Sequence, residues 1–240
     1  RSINGSIEQH LAIARCCSIE PLIERALGLI KPHMHVSLGG GHNVANLARV
    51  LAAQPELDLQ FGTPSELTEQ TGAKLGLTFQ PLSQLGHIDV AFDGCDSINP
   101  ELVALKSNGG IHVFEKLYAI NADRYVILAP ASRLTPVLNP AVPLAVEVLP
   151  LVAPTLERQI VQRGYQVTRR TGERVASFAR TPNGNFLLDC HADSWNDIHE
   201  FNAWLQSQSG VVATSLFENI VTGLLTFDEN NQIQAYRKDL

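Results

Sequence analysis

Short apolar runs bounded by glycine and polar clusters recur along this chain, and most are followed by a stretch with apolar residues three and four apart. Within residues 18–29, Leu22, Ile23, Ala26 and Leu27 form such a helical stripe, with Ser18 as N-cap and Pro21 in the first turn. Residues 33–38 read as a strand that runs into Gly39, Gly40, Gly41, His42 and Asn43, after which Val44, Leu47, Ala48 and Leu51 take helical spacing. A strand at 57–61, a helix at 64–75 capped by Thr63 or Ser65, and a short extended piece at 77–79 follow. Residues 88–92, between Gly86 and Gly94, read as a buried strand; a helix carrying Glu115 begins at about Gly110, and 125–129 (YVILA) is another continuous apolar strand. Strands apolar on both faces, alternating with helices, predict an α/β class: a Rossmann-like open parallel sheet with helices on both faces.

The pattern changes in the proline-punctuated segment 130–143. Beyond it come a strand at 144–149, a helix at 154–163, a strand at 165–170, a polar turn at Gly172 and a possible strand at 174–179. A strand at 185–190, a helix at 195–208 and a strand at 211–216 complete the series. With the 174–179 piece set aside, the order is β-α-β-β-α-β, that of a smaller ferredoxin-like α+β domain. The expected organisation is a Rossmann-like catalytic domain of residues 1–142 with 217–240 and a small domain of 143–216. Segments 218–227 and 233–236 would close the chain against the first.

Composition narrows the function. The 240 residues are 45% hydrophobic and 18% charged, with a net charge of −6, as in an ordinary globular protein. The negative balance and the lack of a Lys/Arg cluster argue against a nucleic-acid partner, and no apolar run is long enough to span a membrane. The opening RSINGSIEQHLAIARCC has no sustained apolar core or small-residue cleavage pattern, unlike a signal peptide. Cys16, Cys17, Cys95 and Cys190 form no C-x-x-C pair, so reduced thiols and a cytoplasmic location are expected.

The chemistry concentrates in residues 88–116, IDVAFDGCDSINPELVALKSNGGIHVFEK. At the carboxyl end of the 88–92 strand, where open α/β sheets bind ligands, Asp93 and Asp96 stand three residues apart, a spacing that a cation or shared hydroxyls would relieve. Lys106 follows, then the turn Ser107, Asn108, Gly109 and Gly110, whose amides could meet an anion at a helix start, then Glu115. Ile111 and Ala119 flank Glu115 on its helix face, and an apolar setting makes a carboxylate bind its proton more readily, as a general base needs. The turn Gly39–Gly40–Gly41–His42–Asn43 has the layout of a phosphate-cradling loop but lacks the third glycine of a dinucleotide fingerprint, Val44 standing there. Cys95 is a poor nucleophile between two carboxylates. His33 and His35 share a strand face without a third ligand, so no metal is expected. Asp189, Cys190, His191 and Asp193 read as solvated or capping residues at a strand end. No G-x-S-x-G elbow suggests a serine hydrolase.

From about Ile19 onward these segments resemble the type A ribose-5-phosphate isomerases. DVAFDGCDSINPELVALKSNGGIHVFEK resembles the family's D-G-A-D-E loop and K-G-G-G-x-x-x-x-x-E-K block, and LGGGHN its G-T-G-S-T phosphate loop. ADRYVILAPASRL, PLAVEVLP and TPNGNFLLD resemble its A-D-x-x-I-x-x-x-x-S-K, P-V-E-V-x-P and D-N-G-N-x-I-x-D segments. The resemblance implies a cofactor-free aldose–ketose isomerase acting on a sugar phosphate, and a homo-oligomer, dimer or tetramer. It implies Glu115 as the proton-shuttling base, with Asp93 and Asp96 in ring opening and hydroxyl binding. Lys106 and the amides near Gly109 would stabilise the oxyanion, while Gly39, Gly40, Gly41, His42, Asn43, Gly94, Ser107, Asn108 and Arg133 would line the substrate and phosphate sites. The phosphate loop departs from the pattern: Gly40, His42 and Asn43 replace hydroxyl residues, and Ser107 and Asn108 replace two glycines. Ser97 stands where the family has Glu, Arg133 where it has Lys, and Ile19 at the N-terminal phosphate lysine, with Arg15 and Arg25 the nearby cations. The alternatives are an isomerase for a different sugar or sugar phosphate and a catalytically weak sugar-phosphate-binding sensor of the same fold.

Overall fold

The computed structural model describes residues 20–173 and 176–237. In chain order the elements are α1 (Glu20–Leu27), β1 (His35–Leu38), α2 (His42–Ala52), β2 (Gln60–Gly62), α3 (Glu66–Lys74), α4 (Leu82–Leu85), β3 (Val90–Asp93), β4 (Ser97–Ile98), β5 (Ala104–Leu105), α5 (His112–Ile120) and β6 (Tyr125–Pro130). Then come β7 (Leu144–Val148), α6 (Ala153–Gln162), β8 (Gln166–Arg169), β9 (Phe186–His191), α7 (Ile198–Gln206), β10 (Val211–Thr214), β11 (Leu216–Phe217), β12 (Gly223–Phe227) and β13 (Ile233–Arg237). Among the described residues no helix is long and apolar enough to cross a membrane. The chain divides into two compact units: the described residues up to Gly94 with Leu117–Ser132 and those from Ile220 onward, and Cys95–Lys116 with Arg133–Asn219. The second thus takes in 95–116, 133–142 and 217–219 besides the expected segment 143–216.

In the first unit six strands form one sheet in the order β13-β12-β6-β3-β1-β2, all parallel except β13. Register puts Val36, Leu38, Val90, Phe92, Val126, Leu128 and Leu225 on one face, where Leu22, Ile23 and Ala26 of α1 and Val44, Leu47, Ala48 and Leu51 of α2 bury against them. Full burial of such a side chain contributes about 1.5–3 kcal/mol. The other face is also covered: a Cβ placed on Gly62 would lie 2.6 Å from Leu85 of α4 and 2.9 Å from Tyr118 of α5. From β1 the chain first goes to β2 on one side, then to β3 on the other, so the order reverses between β1 and β3. The carboxyl ends at such a switch point form a binding crevice.

In the second unit β10-β7-β9-β8 form an antiparallel sheet, with α6 and α7 supplying Leu156, Ile160, Ile198, Phe201 and Leu205 to its core. Numbered within the β-α-β-β-α-β run, the order is 4-1-3-2, which agrees with the ferredoxin-like expectation. Buried Glu147 on β7 accepts from Thr181 Oγ1 at 3.0 Å and Asn185 Nδ2 at 2.7 Å, which ties down the turn before β9.

Several expected boundaries move. His33 has φ 65° and lies outside β1, so His33 and His35 do not share a strand face. A 3-10 turn at Pro55–Leu57 delays β2 to Gln60. Ser65 caps α3, accepting from Thr68 N at 3.2 Å. The helix with Glu115 begins at His112, because Gly110 has φ 66°, a left-handed backbone that cannot enter an α-helix. The expected strand 211–216 splits: β10 ends at Thr214, and β11 pairs with β5 in a separate antiparallel sheet β11-β5-β4. Trp195 precedes α7 and is buried, its indole N–H donating to Val142 O at 2.9 Å. Among the described residues of the expected strand 174–179, Phe178 forms an isolated bridge with Thr171. Residues 174 and 175, the Ser18 cap, and Arg15, Cys16, Cys17 and Ile19 lie outside the described residues.

Candidate active site

In the first unit the switch point is built by β1, β3 and β6. Asp93 ends β3 and is buried. Its Oδ1 accepts the amides of Gly94 at 2.8 Å and Gly40 at 3.1 Å, and its Oδ2 accepts the Tyr125 hydroxyl at 3.0 Å. Register explains the tyrosine: Ala91 faces Tyr125, so Asp93 is its diagonal neighbour on the same sheet face. Gly39 is required by this carboxylate, because a Cβ there would lie 2.2 Å from Asp93 Cγ. Gly41 is required by its φ of 96°, and it directly precedes α2. At Gly40 an added Cβ would meet nothing within 4 Å. Thr68 of α3 holds the turn by donating to Gly39 O at 2.7 Å. His42 is exposed. The Asn43 side chain donates Nδ2 to Leu128 O of β6 at 3.0 Å.

In the second unit Asp96 precedes β4, Lys106 directly follows β5, and Glu115 stands on α5. Lys106 Nζ lies 3.2 Å from Glu115 Oε1; the two residues are 6% and 5% exposed. Glu115 sits in the first turn of α5, where the helix dipole favours a carboxylate. Asp96 accepts the amides of Ser107 at 2.7 Å and Asn108 at 3.0 Å, the Asn108 Nδ2 at 2.7 Å, and Arg133 Nη1 at 3.2 Å. Arg133 Nη1 also donates to Cys95 O at 2.9 Å, so the arginine expected at a phosphate is engaged with the acid loop. Ser107 is fully buried and its hydroxyl donates to Pro143 O at 2.5 Å, which leaves only its amide facing the acids. Ser97, buried in place of the family glutamate, accepts from Asn139 N at 2.9 Å.

Three supports escape a reading of the sequence. Arg170 donates Nη2 to Ser107 O at 2.8 Å and Nη1 to Asn108 O at 3.3 Å, and Asp189 holds its guanidinium through Nε at 2.9 Å. Asp189 is therefore not the solvated or capping residue expected: β8–β9 register puts Thr168 opposite Asp189, which makes Arg170 its diagonal partner. Lys116 Nζ donates to Thr214 O at 2.7 Å and lies 5.2 Å from the Phe217 ring centre; burial lowers its pKa to about 8, against the pull of Glu218. His112, fully buried, approaches Ala213 O through Nε2 at 3.2 Å, while its Nδ1 has no partner. Burial and then the charge of Lys116, with Arg170 and Lys106 behind it, hold His112 down to a pKa of about 3, so the ring is neutral. Tyr125 could have been suspected only from strand pairing.

His33 pairs with Asp58 at 3.1 Å, and His35 Nδ1 donates to the carbonyls of Leu85 and His87. At the amino end of β3, His87, Asp89 and Asp123 bring three ligand-type atoms within 4.8 Å of one another. His87 and Asp123 already form an exposed pair at 3.1 Å, and Asp89 accepts the His35 amide at 2.7 Å. An ion there would have to displace those bonds. Burial, and then the neighbouring Asp189 carboxylate, push the Cys190 thiol far above its ordinary range, so it is an inert core thiol.

A doubly wound sheet with a carboxylate and a glycine turn at its switch point, in a chain that also buries a lysine–glutamate pair, is the build of an enzyme that works on a small polar molecule. The sequence profile of ribose 5-phosphate isomerase A (phosphoriboisomerase A) matches residues 61–231. Ribose-5-phosphate isomerase A of Roseiflexus castenholzii is 34% identical over 198 residues, 81% of this chain and 84% of that protein. The solved ribose 5-phosphate isomerase A of Methanocaldococcus jannaschii superposes with a TM-score of 0.83 at 25% identity, covering 91% of this chain and 97% of that one. A D-ribose-5-phosphate isomerase solved in complex with phospho-erythronic acid shares the fold, with a TM-score of 0.86 over 92% of this chain and 98% of that one, at 21% identity. The chain belongs to the ribose-5-phosphate isomerase A family.

Proposed function

We propose that this chain interconverts ribose 5-phosphate and ribulose 5-phosphate through an enediolate. The observation that carries this reading is the buried Lys106–Glu115 pair, 3.2 Å apart, in a chain of that family. In the open-chain aldose the Glu115 carboxylate takes the proton from C2, and the electron pair moves onto the C1 oxygen. Lys106 and the amides near Gly109 stabilise that oxyanion. Glu115 returns its proton to C1, and the hydroxyl proton passes from O2 to O1. One hydrogen changes carbon and nothing is oxidised overall, so no redox cofactor enters the balance. A proton shuttle and fixed donors at the developing charge are what such a step needs. Asp93 and Asp96 are assigned to ring opening and the sugar hydroxyls, and the amides of the Gly39–Asn43 turn to the phosphate. The family resemblance also supports a cytoplasmic homo-oligomer as the working form. The test is to incubate the purified protein with ribose 5-phosphate and, separately, with free ribose. Ribulose 5-phosphate should accumulate much faster than ribulose; no ketose phosphate above the blank would overturn the proposal.

A further inference from the structure

Asp96 spends its carboxylate on its own loop. Oδ2 takes the Ser107 and Asn108 amides, at 2.7 and 3.0 Å, and Oδ1 takes Asn108 Nδ2 at 2.7 Å and Arg133 Nη1 at 3.2 Å. A carboxylate offers about four lone-pair sites, so these four donors leave none for a sugar hydroxyl. The donors are not equally fixed. The two amides belong to a loop clamped from its other side, where Arg170 holds the carbonyls of the same two residues. Arg133 is a long side chain, 41% exposed against 13% for Asp96. The Asn108 amide group is the shortest contact on Oδ1, on an exposed residue, and it exists only because an asparagine stands where the resembled family pattern has glycine.

We propose that Asn108 is a specificity-determining residue that competes with the sugar for Asp96. It rests on the isomerase reading, which gives Asp96 its role toward hydroxyls. To bind a sugar phosphate through Oδ1, the chain first releases Asn108 Nδ2, or Arg133, and that exchange weakens the gain from the new hydrogen bond. A ligand with no hydroxyl donor at that position, such as inorganic phosphate, binds without the exchange. Asn108 therefore acts on ground-state affinity and leaves the Lys106–Glu115 pair untouched.

Asn108→Ala removes the side-chain donor while keeping the backbone amide to Oδ2. The test compares wild type and Asn108→Ala by calorimetry with 4-phospho-erythronate and with inorganic phosphate, and by kinetics with ribose 5-phosphate. The dissociation constant for phospho-erythronate and the KM should fall about 3- to 10-fold, the factor one exchanged hydrogen bond is worth, while inorganic phosphate binds alike to both. A loop that had merely been loosened would bind both ligands more weakly. Equal or weaker phospho-erythronate binding in Asn108→Ala overturns the assignment, as does failure of both proteins to bind it. Tighter binding without any turnover in either protein sinks the isomerase reading and leaves the assignment of Asn108 standing.

Discussion

The loop from Lys106 to Glu115 and the turn from Gly39 to Asn43 each carry a strand into a helix, and they are held in opposite ways. The first is fastened on every side: Lys106 and Glu115 pair out of solvent, the amides of Ser107 and Asn108 go to Asp96, and their carbonyls go to Arg170. The second is held at its base, where Gly39 packs on Asp93, the Gly40 amide meets the same carboxylate and Asn43 is tied to Leu128, while a Cβ added at Gly40 or Gly41 would meet open space. Groups that move a proton must be fixed to a fraction of an ångström, so many side chains specify them. An anion at a helix start needs only backbone amides, and those survive a change of side chain. On the proposed reading the difference fits the resemblance seen in the sequence, where the motif positions of Asp93, Asp96, Lys106 and Glu115 are kept while the glycine turn departs from the family pattern.

The contrast can be broken from its rigid side first. Lys106→Met leaves Glu115 without its lysine in a buried place, and removing one partner of such a pair costs about 3–5 kcal/mol. Urea unfolding at pH 7 measures it; a loss under about 1 kcal/mol would mean the pair is not structurally integral. The next effect is one of pH. His112 has an ordinary value of 6.5 when unfolded and about 3 when folded, so between those values the unfolded chain binds the extra proton. Stability from this group is intact above pH 6.5 and drains away as the pH falls toward 3. Between pH 7 and 4.5 the wild type should lose about 2–3 kcal/mol more than His112→Leu in paired denaturation curves. Equal losses would show that His112 titrates normally. The smallest effect belongs to the turn: Gly40→Ala should change stability by no more than about 0.5 kcal/mol, whereas Gly39→Ala, driven into Asp93, should cost about 1–3 kcal/mol. Similar values for the two would remove the distinction between base and tip.

Much of the architecture was readable because apolar runs bury on both faces and leave a strong mark. The cores of β1, β3, β6 and β7 fall where Val36, Phe92, Ile127 and Val146 suggest, and the β-α-β-β-α-β order carries the second sheet with it. The sheet β11-β5-β4 was not readable, since strands of two residues are too short to show a period. The break at Ser215, where its hydroxyl takes the Ala145 amide at 2.9 Å, looks like uninterrupted strand in sequence. Of the site, the acids, Lys106 and Glu115 were visible from their spacing in one stretch. What they touch was not: Arg170 and Asp189 are 19 residues apart and meet only through hairpin register, and Arg133 gives no sign in sequence of turning to Asp96.

The account stands on Glu115 as the base. The most direct measurement is steady-state turnover of ribose 5-phosphate by Glu115→Gln, which keeps the side chain's size and removes its ability to take a proton at carbon. The mutant should stay folded and bind 4-phospho-erythronate within a fewfold of wild type, with kcat lower by at least about 10²-fold, the usual loss for a general base. Turnover within a fewfold of wild type would contradict the account, because the proton would then be moving through some other group.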